Sequence, residues 1–129
     1  WNSITWARMT ENVGESAYLY FFSHSPPGPQ KEIPGAYHAA EIAYVFNNPQ
    51  SLRHTATNDD IQMADVMSDY WVNFASTGNP NAKGLSEWKP YTQLNPNYVE
   101  LNVTATPYTD LTPAAWDFFD KVEANKRSF

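Results

Sequence analysis

The chain of 129 residues has no cysteine, few basic residues and no long apolar run. Without thiols there is no disulfide, no thiolate metal site and no cysteine nucleophile. Eight Lys and Arg stand against fourteen Asp and Glu, a net charge of −6, and the acids are scattered. The basic patch that neutralises nucleic-acid phosphates is therefore missing. No stretch approaches the roughly 18 apolar residues that mark a membrane-spanning helix, and the chain is expected to be soluble. Gly-rich loops that cradle phosphates are absent too. Trp1 is not an initiator, and Trp1 to Gly14 lacks the basic start and apolar centre of a signal peptide, so no targeting signal is read.

What is present is apolar and aromatic: 42% of the residues are hydrophobic and 16% of the chain is Phe, Trp or Tyr, in a chain the size of one domain. Ala17 to Phe22 is an apolar run without polar alternation, the pattern of a strand buried on both faces in an α/β sheet. Tyr98 to Val103 alternates like an edge strand. One buried strand and one edge strand do not make a sheet. The chain is therefore expected to be part of a larger folded unit.

Helical signals surround these strands. Ser3 to Asn12 reads as a helix with Ser3 as N-cap, Gly14 as stop, and Trp6 and Met9 on the face that packs on a sheet. A Pro- and Gly-rich loop from Ser23 to Gly35 leads to a short helix over Ala39 to Phe46, with Ile42, Val45 and Phe46 at helical spacing. The longest helix is predicted over Asn58 to Thr77. Thr57 or Asn58 caps it, Asp59 and Asp60 occupy the first turn, and Gly78 ends it. Its apolar face comprises Ile61, Ala64, Met67, Tyr70, Trp71, Phe74 and Ala75, with Asp65 and Asp69 opposite. Gly78 to Asn81 is a turn cluster. A last helix starts at Thr112 with Pro113 in its first position and carries Trp116, Phe119 and Val122, with Lys126 and Arg127 at its C-terminal end.

Three histidines bear on chemistry. His38 lies in a loop after a buried strand, where open α/β sheets place function, and an imidazole can take and return a proton near neutral pH. His24 reads as an exposed loop residue and His54 as a solvated one. The three lack the close spacing of a metal motif such as HExxH, so no metal or cofactor is expected. Glu41, three residues after His38, has three open roles: orienting the ring, capping the helix or bonding a neighbouring loop. No nucleophile is apparent. Gly14-Glu15-Ser16-Ala17-Tyr18 begins like the elbow G-x-S-x-G, but it lacks the final Gly and precedes a strand instead of following one. Asn102-Val103-Thr104 fits an N-glycosylation sequon.

Three blocks in order resemble the type-B carboxylesterases, the cholinesterase, para-nitrobenzyl esterase and fungal lipase group. Tyr18-Leu19-Tyr20-Phe21-Phe22 looks like the family's last central strand, and Gly35 to Phe46 like its "G-x-x-H-G-x-E-x-x-Y-V-F" block. Tyr70 to Asn81 with Trp88-Lys89-Pro90-Tyr91 looks like "Y-W-x-x-F-A-x-T-G-x-P-N … W-P-x-Y". Ala39 departs from the family's Gly, and Lys89 separates a usual Trp-Pro pair. The resemblance implies an α/β fold, residues 1–129 being the C-terminal segment of one α/β-hydrolase catalytic domain. It implies a serine esterase acting on small-molecule esters, with His38 as the triad histidine. The serine, the acidic member and the glycine oxyanion loop lie upstream in the family's order and have no counterpart here, so the implied partner is the N-terminal part of the same enzyme. The alternatives are a non-catalytic binding or adhesion relative of the same fold and an aromatic-rich carbohydrate-binding module, the latter disfavoured by the helical spacing of Tyr70, Trp71 and Phe74.

Overall fold

The computed structural model describes residues 2–25, 35–52, 55–109 and 113–126. Eight short elements follow in order: α1 (Asn2–Asn12), β1 (Tyr20–Phe22), α2 (Ile42–Val45), a single 3-10 turn (Pro49–Ser51), α3 (Asn58–Thr77), β2 (Asn97–Leu101), β3 (Ala105–Thr109) and α4 (Pro113–Lys126). The strands form one sheet in the order β1-β2-β3. The mixture of helices with a small mixed sheet is a partial α/β fold, as the sequence implied. Two compact units are present, Tyr20–Trp88 with Val99–Pro107, and Trp1–Leu19 with Lys89–Tyr98 and Tyr108–Phe129.

The first of these units is organised by α3. Thr57 caps it in a reciprocal box: the Asp60 amide donates to Thr57 Oγ1 (3.3 Å), and the Thr57 amide donates to Asp60 Oδ2 (2.8 Å). At the other end Gly78 takes φ 76° and its amide closes on the Phe74 carbonyl, a left-handed cap that only glycine adopts without strain. The helix therefore has the bounds its sequence signals predict. Its buried stripe is Asp60, Met63, Ala64, Met67 and Tyr70, while Ile61, Phe74 and Ala75 of the expected face are exposed. Each fully buried Met or Tyr contributes about 1.5–3 kcal/mol of transfer free energy. Beyond Gly78, Asn81 pairs reciprocally with Trp88: Asn81 Nδ2 donates to the Trp88 carbonyl (2.9 Å) and the Trp88 amide donates to Asn81 Oδ1 (2.7 Å). That clamp sets the Trp88 indole edge-on to Tyr70, ring centres 5.1 Å apart.

In the same unit β1 runs parallel to β2, pairing Tyr20 with Val99, Phe21 with Glu100 and Phe22 with Leu101. The expected strand assignments need correction here. β1 is three residues long, shorter than the expected Ala17 to Phe22, and among the described residues β2 is its one neighbour, with Tyr20 and Phe21 exposed. β2 is the centre, not an edge, and its alternation buries Val99 and Leu101 completely. The third strand, β3, was not expected, and Pro107 lies inside it. A proline is admissible in an outer strand, where an amide N–H is not required of every residue.

In the other unit α1 ends in two backbone bonds, Gly14 to the Glu11 carbonyl and Glu15 to the Thr10 carbonyl, with Gly14 at φ 81°, a Schellman motif. Ser3 lies inside the first turn and not ahead of it. The face assignment also changes: Ile4 and Ala7 are buried with Tyr91, with Trp116 of α4 packed against them, whereas Trp6 and Met9 are exposed. Both pairs have the same i, i+3 spacing, so periodicity alone could not choose between them. Arg8 pairs with Asp120 at 2.7 Å. α4 begins at Pro113 as expected, and Phe119 of its expected apolar face is exposed. The Thr112 cap, Arg127, and the loop stretch 26–34 lie outside the described residues.

Candidate functional site

His38 stands at the corner of a tight turn. The Ala40 amide donates to the Tyr37 carbonyl (3.0 Å), which makes His38 and Ala39 the two central residues. Ala39 has φ 69° while His38 does not enter the positive region, the pattern of a type II turn. That turn favours glycine in the second central position, where this chain has alanine. His38 is exposed, and among the described residues its ring makes no hydrogen bond. Immediately after the corner, Ala40 is buried, and backbone bonds from Ile42 to Ala39 (3.3 Å) and from Tyr44 to Glu41 (3.0 Å) carry the chain into α2.

α2 is shorter than expected and presents a different face. Ile42 and Phe46 point to solvent, and Tyr44 is the fully buried residue. Glu41 precedes α2 with a helical backbone and no side-chain cap bond, and forms no bond with His38 among the described residues. Burial of Tyr20 pushes its phenol up, and the charge of Glu41 adds to that.

A second histidine site lies below the turn, and its position corrects the expectation of an exposed His24. His24 is 6% exposed, with Nε2 3.0 Å from Oδ1 of Asp60, itself completely buried. Tyr44 donates its hydroxyl to the same oxygen at 2.7 Å. The other carboxylate oxygen accepts from the Thr57 amide (2.8 Å) and the Thr57 hydroxyl (2.7 Å). Burial alone would raise the Asp60 carboxyl, but the Thr57 bonds and those of Tyr44 and His24 outweigh it and hold it well below the usual carboxylate range. The ionised carboxylate only accepts, so His24 Nε2 carries the proton in this pair. Tyr44 moves the other way, its phenol pushed far up by burial and then by the bond to Asp60. The rings close the cluster edge-on, His24 to Tyr44 at 5.3 Å and Phe22 to His24 at 6.2 Å.

The two histidines are not interchangeable chemically. A triad histidine holds its acid through Nδ1 and turns Nε2 to the nucleophile. His24 spends Nε2 on Asp60 and is buried, whereas the His38 ring is open to an incoming group. Asp60 thus has more to do than start a helix, and only its place in the first turn was visible in sequence. His24 between two serines carried no sign of burial, since its acidic partner is 36 residues away. His54 lies outside the described residues. Among the described residues no three His, Asp or Glu side chains converge as a metal site, and no helix is long and apolar enough to cross a membrane. In the sequon, Asn102 Nδ2 donates to Ser23 Oγ at 3.1 Å.

The profile of the Carboxylesterase family matches residues 2–119. The medium-chain fatty acyl-CoA hydrolase precursor of Anas platyrhynchos is 34% identical over 116 residues, covering 88% of this chain and 20% of that protein. Carboxylesterase 4A of Bos taurus is 33% identical over 121 residues, 92% of this chain and 22% of the relative. Among solved structures a PNB esterase superposes with a TM-score of 0.67 at 26% identity, over 79% of this chain and 21% of that one. The chain thus spans about one fifth of the length of the proteins it matches.

Proposed function

Because this chain belongs to the carboxylesterase family, we propose that it is the C-terminal segment of an α/β-hydrolase catalytic domain and supplies the general acid/base of a serine esterase. The residue in that role is His38. The observation that carries this reading is the turn itself: an exposed imidazole at the corner of a tight turn, with its base in the buried residues Ala40 and Tyr44. The family resemblance of Gly35 to Phe46 supports the same residue. The single-strand exposure of Tyr20 and Phe21, and the one-fifth coverage of the relatives, support an upstream part that completes the sheet and brings the serine and its acidic partner.

In the proposed reaction the upstream serine hydroxyl attacks the carbonyl carbon of a carboxylic ester as His38 takes its proton. The tetrahedral intermediate collapses with cleavage of the ester C–O bond, and the proton on His38 passes to the departing alkoxide. Water then attacks the acyl-enzyme, giving a proton to His38, and the serine oxygen leaves and recovers that proton. Alcohol and carboxylic acid are released and the histidine ends as it began. No cofactor or metal enters this sequence.

The test is made on the intact polypeptide that contains this sequence and its upstream part. It is expected to hydrolyse short-acyl nitrophenyl esters, and His38→Ala is expected to lower kcat by about 10³-fold or more, the scale of losing a triad member. Undiminished turnover in His38→Ala overturns the assignment. Residues 1–129 alone are expected to show no esterase activity.

A further inference from the structure

His38 belongs to the stretch of chain that joins β1, ending at Phe22, to the buried Tyr44 of α2. Both ends of that stretch meet on one carboxylate. His24, two residues past β1, and Tyr44, in α2, each donate to Asp60 Oδ1 and touch one another edge-on. We propose that His24, Tyr44 and Asp60 form a polar clamp at the base of the His38 segment that sets where the imidazole stands in the active site. The three are positioning residues, and the proposal rests on the reading of His38 as the general acid/base.

Three observations support it. Asp60 is a rigid post: it is the third residue of a 20-residue helix, and its second oxygen is locked by the Thr57 capping box. On the upstream side, the Ser23 amide continues the strand pairing to the Leu101 carbonyl (3.0 Å) and Ser23 Oγ donates to Glu100 (2.6 Å), so His24 is tied to the sheet. On the downstream side, the backbone bonds from Tyr44 to Glu41, Ile42 to Ala39 and Ala40 to Tyr37 form an unbroken relay from the clamp to the corner. A shift of Tyr44 is passed along that relay to His38.

The chemistry of the clamp also points to orientation more than to bulk stability. A fully buried carboxylate with directed donors costs desolvation that an apolar trio of similar volume would not, and its return is a unique geometry. Proton transfer depends steeply on such geometry, since misplacement by about 1 Å can cost about 10²-fold in rate.

The experiment compares Tyr44→Phe, His24→Leu, His24→Gln, Met67→Ala and His38→Ala in the intact enzyme, with 4-nitrophenyl butyrate as substrate and rates expressed per mole of folded enzyme. Tyr44→Phe keeps the ring and its packing and removes only the donor. It and His24→Leu are expected to lower kcat about tenfold or more while KM stays within about twofold. His24→Gln, whose amide nitrogen reaches the place of Nε2, is expected to recover most of that loss. Met67→Ala, a core truncation elsewhere on α3, is expected to lower Tm at least as far without lowering kcat. Wild-type kcat in Tyr44→Phe and His24→Leu, or an equal fall of kcat in Met67→Ala, overturns the clamp. High turnover in His38→Ala instead overturns the catalytic reading on which the clamp rests, so the two failures are told apart.

Discussion

The hydroxyl of Tyr44 donates to Asp60 Oδ1 across 2.7 Å, joining α2 to the first turn of α3 with both residues fully buried. Neither side chain can be changed without leaving the other in a dry site, and bonds to a charged group are worth about 1.5–3 kcal/mol each. Tyr44→Phe is therefore expected to lower unfolding free energy by about that amount, read as a lower denaturant midpoint at an unchanged m-value.

Asp60 makes a pH prediction. Its carboxyl is held well below the usual range in the fold, while in the unfolded chain it titrates near the ordinary value of about 3.9. The stabilisation is complete above that ordinary value and is lost as pH falls through the lower, folded one. Tm is thus expected to fall with pH on the acid side of about 4, and Asp60→Asn, which cannot titrate, is expected to flatten that limb. The variant's deficit should be larger at pH 7 than in acid. Parallel limbs for the two proteins would contradict the assignment of this carboxylate.

Ala39 carries a methyl group at φ 69°. A left-handed backbone costs a non-glycine residue about 1–2 kcal/mol, whereas glycine loses about 0.5–1 kcal/mol more chain entropy on folding. Ala39→Gly is expected to be neutral to stabilising by up to about 1 kcal/mol. Ala39→Val, which adds branching at the same φ, is expected to destabilise clearly. Thermal melts of the three proteins rank them.

Gly78 gives the opposite sign. A Cβ built there meets nothing within 4 Å, so Gly78→Ala carries no steric clash and only the conformational cost of φ 76°. A loss of about 1 kcal/mol is expected, measurable by chemical denaturation.

These contrasts also explain what could be read in advance. α3 was legible end to end because its signals are local: a threonine, an aspartate three residues on and a glycine past the last turn. The His38 turn was legible as a motif, and the left-handed φ of Ala39 gives that motif its physical reason. Faces were harder. In α1, Ile4 with Ala7 and Trp6 with Met9 are equally periodic, and the choice between them belongs to Tyr91, more than eighty residues away in sequence. His24 was opaque for a similar reason, since nothing in Ser23-His24-Ser25 announces a carboxylate brought in from another helix. β3 was hidden by Pro107, which speaks against a strand unless the strand is an outer one.

That proline has a consequence for the sheet as an object with two rims. Pro107 has no N–H to offer, so the rim formed by β3 is a poor template for another strand, whereas β1 at the opposite rim is short, apolar and parallel to its neighbour. The sheet therefore has a polarity of extension: it is capped on one side and receptive on the other, and any strand that lengthens it is expected to add beside Tyr20–Phe22.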